Sequence, residues 1–125
     1  MLKLPTLGEM DRASGVRVFL CTAPTDMRRG FDRLAEMIRS SLSQDPLDGS
    51  LFVFRSRGSD RLKILYWDKD GYALWYKRLE EGVFRFPATP IDTAGVEIRA
   101  SELAMLLEGI DLKSIKRSPR LKVGN

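Results

Sequence analysis

Four short runs rich in β-branched and aromatic residues follow one another between Leu51 and Phe86, and each gap between them holds a glycine. No other feature restricts the fold of this chain so strongly. The runs are Leu51 to Arg57, Arg61 to Asp68, Tyr72 to Leu79 and Val83 to Phe86, divided by turns at Arg57-Gly58-Ser59-Asp60, Lys69-Asp70-Gly71 and Glu80-Glu81-Gly82. Turns this short join only antiparallel neighbours, because a parallel crossover needs a dozen or more residues. The spacing therefore predicts a β-meander, with Asp70-Gly71 as its strongest hairpin signal.

Upstream, Val16 to Cys21 alternates as a strand, with Val16, Val18 and Leu20 on one face. Met27, Phe31, Leu34, Ile38 and Leu42 then recur at helical spacing and predict one long amphipathic helix, capped by Thr25 or Asp26. Gly30 would sit in its second turn, and Asp45-Pro46 would bar it from continuing. Downstream, residues 87–95 read as a surface loop and Val96 to Ile98 as a short strand. Ser101 to Gly109 reads as a short helix capped by Ser101 and ended by Gly109. The expected fold is one α+β domain over residues 16–112: a mainly antiparallel β-meander sheet packed against one long amphipathic helix, with a short C-terminal helix. Residues 1–15 read as a loosely ordered lead-in and 113–125 as a basic tail.

A length of 125 residues with 43% hydrophobic and 30% charged side chains fits a single domain with a real core. The chain has no histidine, which excludes Ser-His-Asp and Cys-His catalysis and the usual Cys/His zinc sites. Cys21 stands alone, so no internal disulfide forms, and a β-rich setting makes it a core residue rather than a nucleophile. No apolar run exceeds five residues, against ~20 for a membrane span. With no long apolar stretch behind Lys3, the expected location is the cytoplasm, without membrane contact.

The net charge is +4, yet Lys113, Lys116, Arg117, Arg120 and Lys122 lie in the tail without an acid among them, which leaves the rest of the chain at −1. A basic tail suits a polyanion partner, and surface charge for solubility gives the same composition. In the meander, bases are interleaved with aromatics, a combination that can hold phosphates and stack bases. Most of the aromatics are expected in the core. Arg55, Arg57, Arg61, Lys63, Lys77 and Arg78 remain as a candidate DNA-phosphate surface, together with the five tail bases. Arg28, Arg29 and Arg33 on the helix, with Trp75 and Tyr76, form a candidate protein-partner surface. The carboxylates Asp26, Asp32, Asp68, Asp70, Glu80 and Glu81 each have a simpler role in a cap, turn or solvated face, so no catalytic group, metal site or cofactor is expected.

Taken together, several runs resemble one family. Thr25-Asp26-Met27-Arg28-Arg29-Gly30-Phe31-Asp32, Asp45-Pro46 with Leu51 to Phe54, Leu65-Tyr66-Trp67-Asp68-Lys69-Asp70-Gly71, Tyr76 to Gly82 with Phe84 and Pro87, and Leu103 to Asp111 are similar, in order and spacing, to the TnpB accessory proteins of the IS66 class of bacterial insertion sequences. The resemblance covers roughly residues 15–112. Phe86 stands where the family usually has tryptophan, and Arg99 where a Ser or Thr cap is expected. The resemblance implies a non-enzymatic accessory factor for transposition, and the basic meander and tail lead to the expectation that it acts by binding DNA, the transposase of its element, or both. The alternatives are a protein-only adaptor of the transposase complex and a metal-dependent nuclease.

Overall fold

The computed structural model describes residues 16–87 and 93–109, and the expected lead-in and basic tail lie outside them. The elements are β1 (Val18–Cys21), α1 (Phe31–Ser40), β2 (Leu51–Arg55), β3 (Arg61–Asp68), β4 (Gly71–Arg78), β5 (Gly95–Ile98) and α2 (Ala100–Leu107). The five strands form one sheet in the order β4-β3-β2-β1-β5. The meander is present as β2, β3 and β4, paired antiparallel with Val53 opposite Ile64 and Ile64 opposite Trp75.

β1 and β2 run parallel, joined through α1 as a βαβ crossover. Their register sets Phe19 opposite Phe52, and the two rings stack at 5.5 Å with planes 12° apart. β5 closes the other edge antiparallel to β1. At its first residue, Gly95, a Cβ would lie 2.6 Å from Leu42 Cδ2 and 3.3 Å from Leu20 O, so close packing explains the glycine.

Strand alternation sends side chains to two cores. Phe19, Cys21, Phe52, Phe54 and Leu65 pack against Leu34, Ala35 and Ile38 of α1. On the other face Val18, Leu20, Leu51, Val53, Leu62, Ile64 and Ile98 pack against Ala100, Leu103 and Leu106 of α2, with Phe84. Burial on both faces explains why Leu51 to Phe54 is apolar at every position. Each such side chain contributes about 1.5–3 kcal/mol on burial.

This architecture corrects the expected fold. Instead of a mainly antiparallel sheet on one long amphipathic helix, the protein has a five-stranded mixed sheet with a short helix on each face. α1 has ten residues and begins at Phe31, not Met27. Neither Thr25 nor Asp26 caps it, and Gly30 is its N-cap, so the cost of an interior glycine does not arise. The missing first turn has a tertiary cause: the Lys63 ammonium donates to the carbonyls of Met27 and Arg29, both at 2.7 Å, and these would otherwise serve the helix. At the other end Ser43 turns the chain with φ of 54°, and the Gln44 amide donates back to Ile38 O.

Val83 to Phe86 is not a strand. Phe84 is buried in the α2-side core, and its amide donates to Ser59 O at 2.7 Å, which draws the segment across the β2–β3 turn and away from the β4 edge. α2 starts one residue before the expected Ser101 cap. Arg99 is its N-cap, and its amide donates to Glu102 Oε1 at 2.7 Å, the glutamate half of a capping box. Gly109, with φ of 83°, follows the helix end as expected.

Candidate functional site

Strand direction decides where the charged residues gather. β1, β2 and β4 all end where β3 begins, and the loop into α1 leaves from the same end. That end collects Arg28, Arg29, Arg33, Arg55, Arg57, Arg61, Lys63, Lys77, Arg78 and Arg85, ten of the fourteen bases among the described residues. Asp26, Asp32, Asp60, Glu80, Glu81 and Glu108 accompany them, for a local balance of +4. The remaining described residues carry four bases against seven acids, or −3. The sheet is thus polarised end to end, and its basic end lies at the carboxyl ends of the parallel strands, where α/β sheets commonly meet ligands.

The ten bases do not form one flat face. Arg55 stands opposite Leu62, and Leu62 opposite Lys77, on the α2 side; Lys63 stands opposite Phe54 and Tyr76, and Arg61 opposite Arg78, on the α1 side. Arg57 lies in the turn between them.

Two bases are structural. Lys63 is buried, and beside its two carbonyl acceptors its Nζ lies 4.7 Å from the centre of the Tyr76 ring. Burial lowers its pKa, and Asp26 pulls it back up. The ammonium is directed inward, onto the loop before α1. Arg55 is half-buried: it donates to Thr22 O at 2.8 Å and Ser59 Oγ at 3.3 Å, and its guanidinium lies 5.6 Å from the Phe86 ring. It ties the end of β1 to the β2–β3 turn beneath an open cleft of about 540 Å³ lined by Leu20, Phe84 and Phe86.

The loop before α1 is built on Asp26. Its carboxylate accepts from the Arg28 guanidinium at 2.8 Å and from the Arg28 amide at 2.9 Å, and the guanidinium above all holds its pKa well below the ordinary carboxylate range. Arg78 pairs with Glu80 at 3.1 Å. Among the described residues, Arg29, Arg33, Arg57, Arg61, Lys77 and Arg85 have no carboxylate within 4 Å. Cys21 is buried at this end, and burial pushes its thiol pKa up, which keeps it a protonated core group. No cluster of three or more His, Cys, Asp or Glu placed to hold a metal ion occurs among the described residues.

Of the proposed partner surface, the structure brings Arg28, Arg29, Arg33 and Tyr76 to the α1 side of this end. Trp75 lies on the opposite face, half-buried against the α2-side core. The tail bases Lys113, Lys116, Arg117, Arg120 and Lys122 lie outside the described residues. Arg85 belongs to this end but not to the sequence-derived candidates, and sequence reasoning also misses Asp26 as an organiser of the arginines. The Asp-Met-Arg spacing was the available signal for the latter, since an aspartate two residues before an amide forms an Asx turn.

Fold and charge define a small domain with a mixed sheet between two helices and one basic sheet end. It belongs to the IS66 Orf2-like protein family, whose model matches residues 16–117, and is thus an insertion-sequence accessory protein. Two curated relatives come from Sinorhizobium fredii. Uncharacterized protein y4jC is 39% identical over 105 residues, covering 84% of this chain and 88% of the relative. Uncharacterized protein y4hO is 41% identical over 110 residues, covering 87% and 94%. No solved structure matches the chain. No helix among the described residues is long and apolar enough to cross a membrane.

Proposed function

We propose that this accessory protein serves transposition without catalysis of its own, by holding DNA through the basic end of its sheet. The observation that carries this reading is the set of six bases there, Arg29, Arg33, Arg57, Arg61, Lys77 and Arg85, that have no carboxylate within 4 Å among the described residues. Phosphates are the ligands such a set fits, and in sequence the tail adds five more bases. Binding is then electrostatic and salt-dependent. Six phosphate contacts give a slope of about −5 in log affinity against log salt, or roughly a thousandfold loss between about 50 and 200 mM salt. Titration of labelled duplexes, from the element ends and from unrelated sequence, tests this. Absence of binding to either at low salt overturns it.

A contact with the transposase of the same element is the second reading. It is favoured by Tyr76 lying on the same side of this sheet end as Arg29 and Arg33, residue types that often carry interface energy. Co-purification that survives nuclease treatment and high salt, and is lost on substituting Arg29 and Arg33, would select it over a DNA tether.

A further inference from the structure

The α1 side of the basic end carries aromatic surface that the core does not use. Phe31 opens α1 on the same stripe as Leu34, Ala35 and Ile38, but unlike them it is 47% exposed. Tyr76 is 49% exposed, although its neighbours on that face of β3 and β4 are buried or half-buried towards the sheet centre. The Lys63 ammonium sits over one face of the Tyr76 ring, 4.7 Å from its centre. That fixes the ring from within, while about half of the residue's surface stays open to solvent.

Bases surround this ring. Lys63 is directly opposite Tyr76, and Arg61 and Arg78 are directly opposite each other one pair further out, on the same face. Like charges in that position repel, and since Arg78 pairs with Glu80 at 3.1 Å, Arg61 is the member of the two with no carboxylate within 4 Å among the described residues. Arg29, whose carbonyl is held by the same Lys63, and Arg33 lie on the α1 side.

From this juxtaposition we infer that Tyr76 is a stacking platform for an unpaired DNA base, with the flanking phosphates held by Arg61 on one side and Arg29 and Arg33 on the other. The inference rests on the DNA reading above and narrows it to single-stranded DNA at this surface. A base needs only one open ring face and adjacent cations, whereas a specific protein interface needs about 800 Å² per partner with an apolar centre. Two half-exposed rings set among arginines supply the first and not the second.

Fluorescence polarisation with labelled oligothymidylate, and with a duplex of the same length, tests the inference on Tyr76→Ala and Tyr76→Phe, after circular dichroism has established that each variant is folded. Removing one stacked base should weaken oligothymidylate binding about tenfold in Tyr76→Ala. Tyr76→Phe should retain it within about twofold, and duplex binding should be unchanged in both. Unchanged oligothymidylate affinity in Tyr76→Ala overturns the assignment, as does an equal loss for duplex. Loss of purified transposase binding without loss of oligothymidylate binding also overturns it and assigns the ring to a protein contact. If wild type binds neither DNA form, the DNA reading itself has failed; if it binds both and only the Tyr76 effect is missing, the stacking assignment alone has failed.

Discussion

Lys63 and Lys69 stand near opposite ends of the same hairpin, and they illustrate how the two ends of the sheet differ. Lys63, at the basic end, is buried and fastens the Met27 to Gly30 loop to the sheet. Lys69, at the acidic end, is exposed in the β3–β4 turn. At the basic end a few cations are therefore consumed by structure, and they place the others; at the far end the charges are mostly solvated. The net charge of +4 conceals this division, because it sums over both ends and the tail.

The largest expected effect separates the two lysines. Lys63→Met leaves two carbonyls without their cationic donor and should cost about 3 kcal/mol of stability, whereas Lys69→Met should stay within about 0.5 kcal/mol. Chemical denaturation of the two variants checks this, and equal stability would erase the distinction between the ends. A smaller difference is expected between Arg55→Met and Arg99→Met. The first loses the bonds to Thr22 O and Ser59 Oγ and should cost about 1.5 kcal/mol; the second keeps the backbone amide that Glu102 caps and should cost less than about 0.5 kcal/mol, read as a shift in thermal midpoint.

The smallest effect concerns acid. Both Asp26 and Glu97 have folded pKa values below their ordinary ones, because of Arg28 and Arg17 respectively. A depressed carboxylate stabilises the fold above its ordinary pKa and loses that contribution as pH falls through the folded value. Little should therefore change above pH ~5, and both contacts should weaken as pH drops below ~4. The more strongly lowered Asp26 should let go last. Carboxyl chemical shifts followed by NMR across this range check the order, and reversal would mean that the Asp26 loop is looser than its geometry.

What the sequence makes legible follows from how local each cause is. The β2–β3–β4 meander rests on short turns and is read directly. The parallel β1–β2 pair is legible in the order strand, helix, strand and in the unbroken apolar run Leu51 to Phe54, but the short turns that follow speak only for antiparallel pairing. The helix start could not be read from its own residues, since Lys63, more than thirty positions away, takes the carbonyls that would extend it. Alternation correctly sets Arg61, Lys63 and Leu65 on one face of β3, but it carries no information on depth, so by itself it leaves Lys63 among the surface cations. It also cannot supply the cross-strand register, which sends Arg55 and Lys77 to one side of the sheet and Arg61 and Arg78 to the other.

The central claim is that the basic end, and not charge in general, meets DNA. The direct test is the salt dependence of duplex binding for two triple variants of equal charge change, Arg57→Ala with Arg61→Ala and Lys77→Ala at the basic end, and Arg39→Ala with Lys69→Ala and Arg99→Ala elsewhere. The account predicts that the first set lowers the slope by about 2.7, close to 0.9 per lost phosphate contact, while the second changes it by less than about 0.5. Equal changes in the two sets would contradict it.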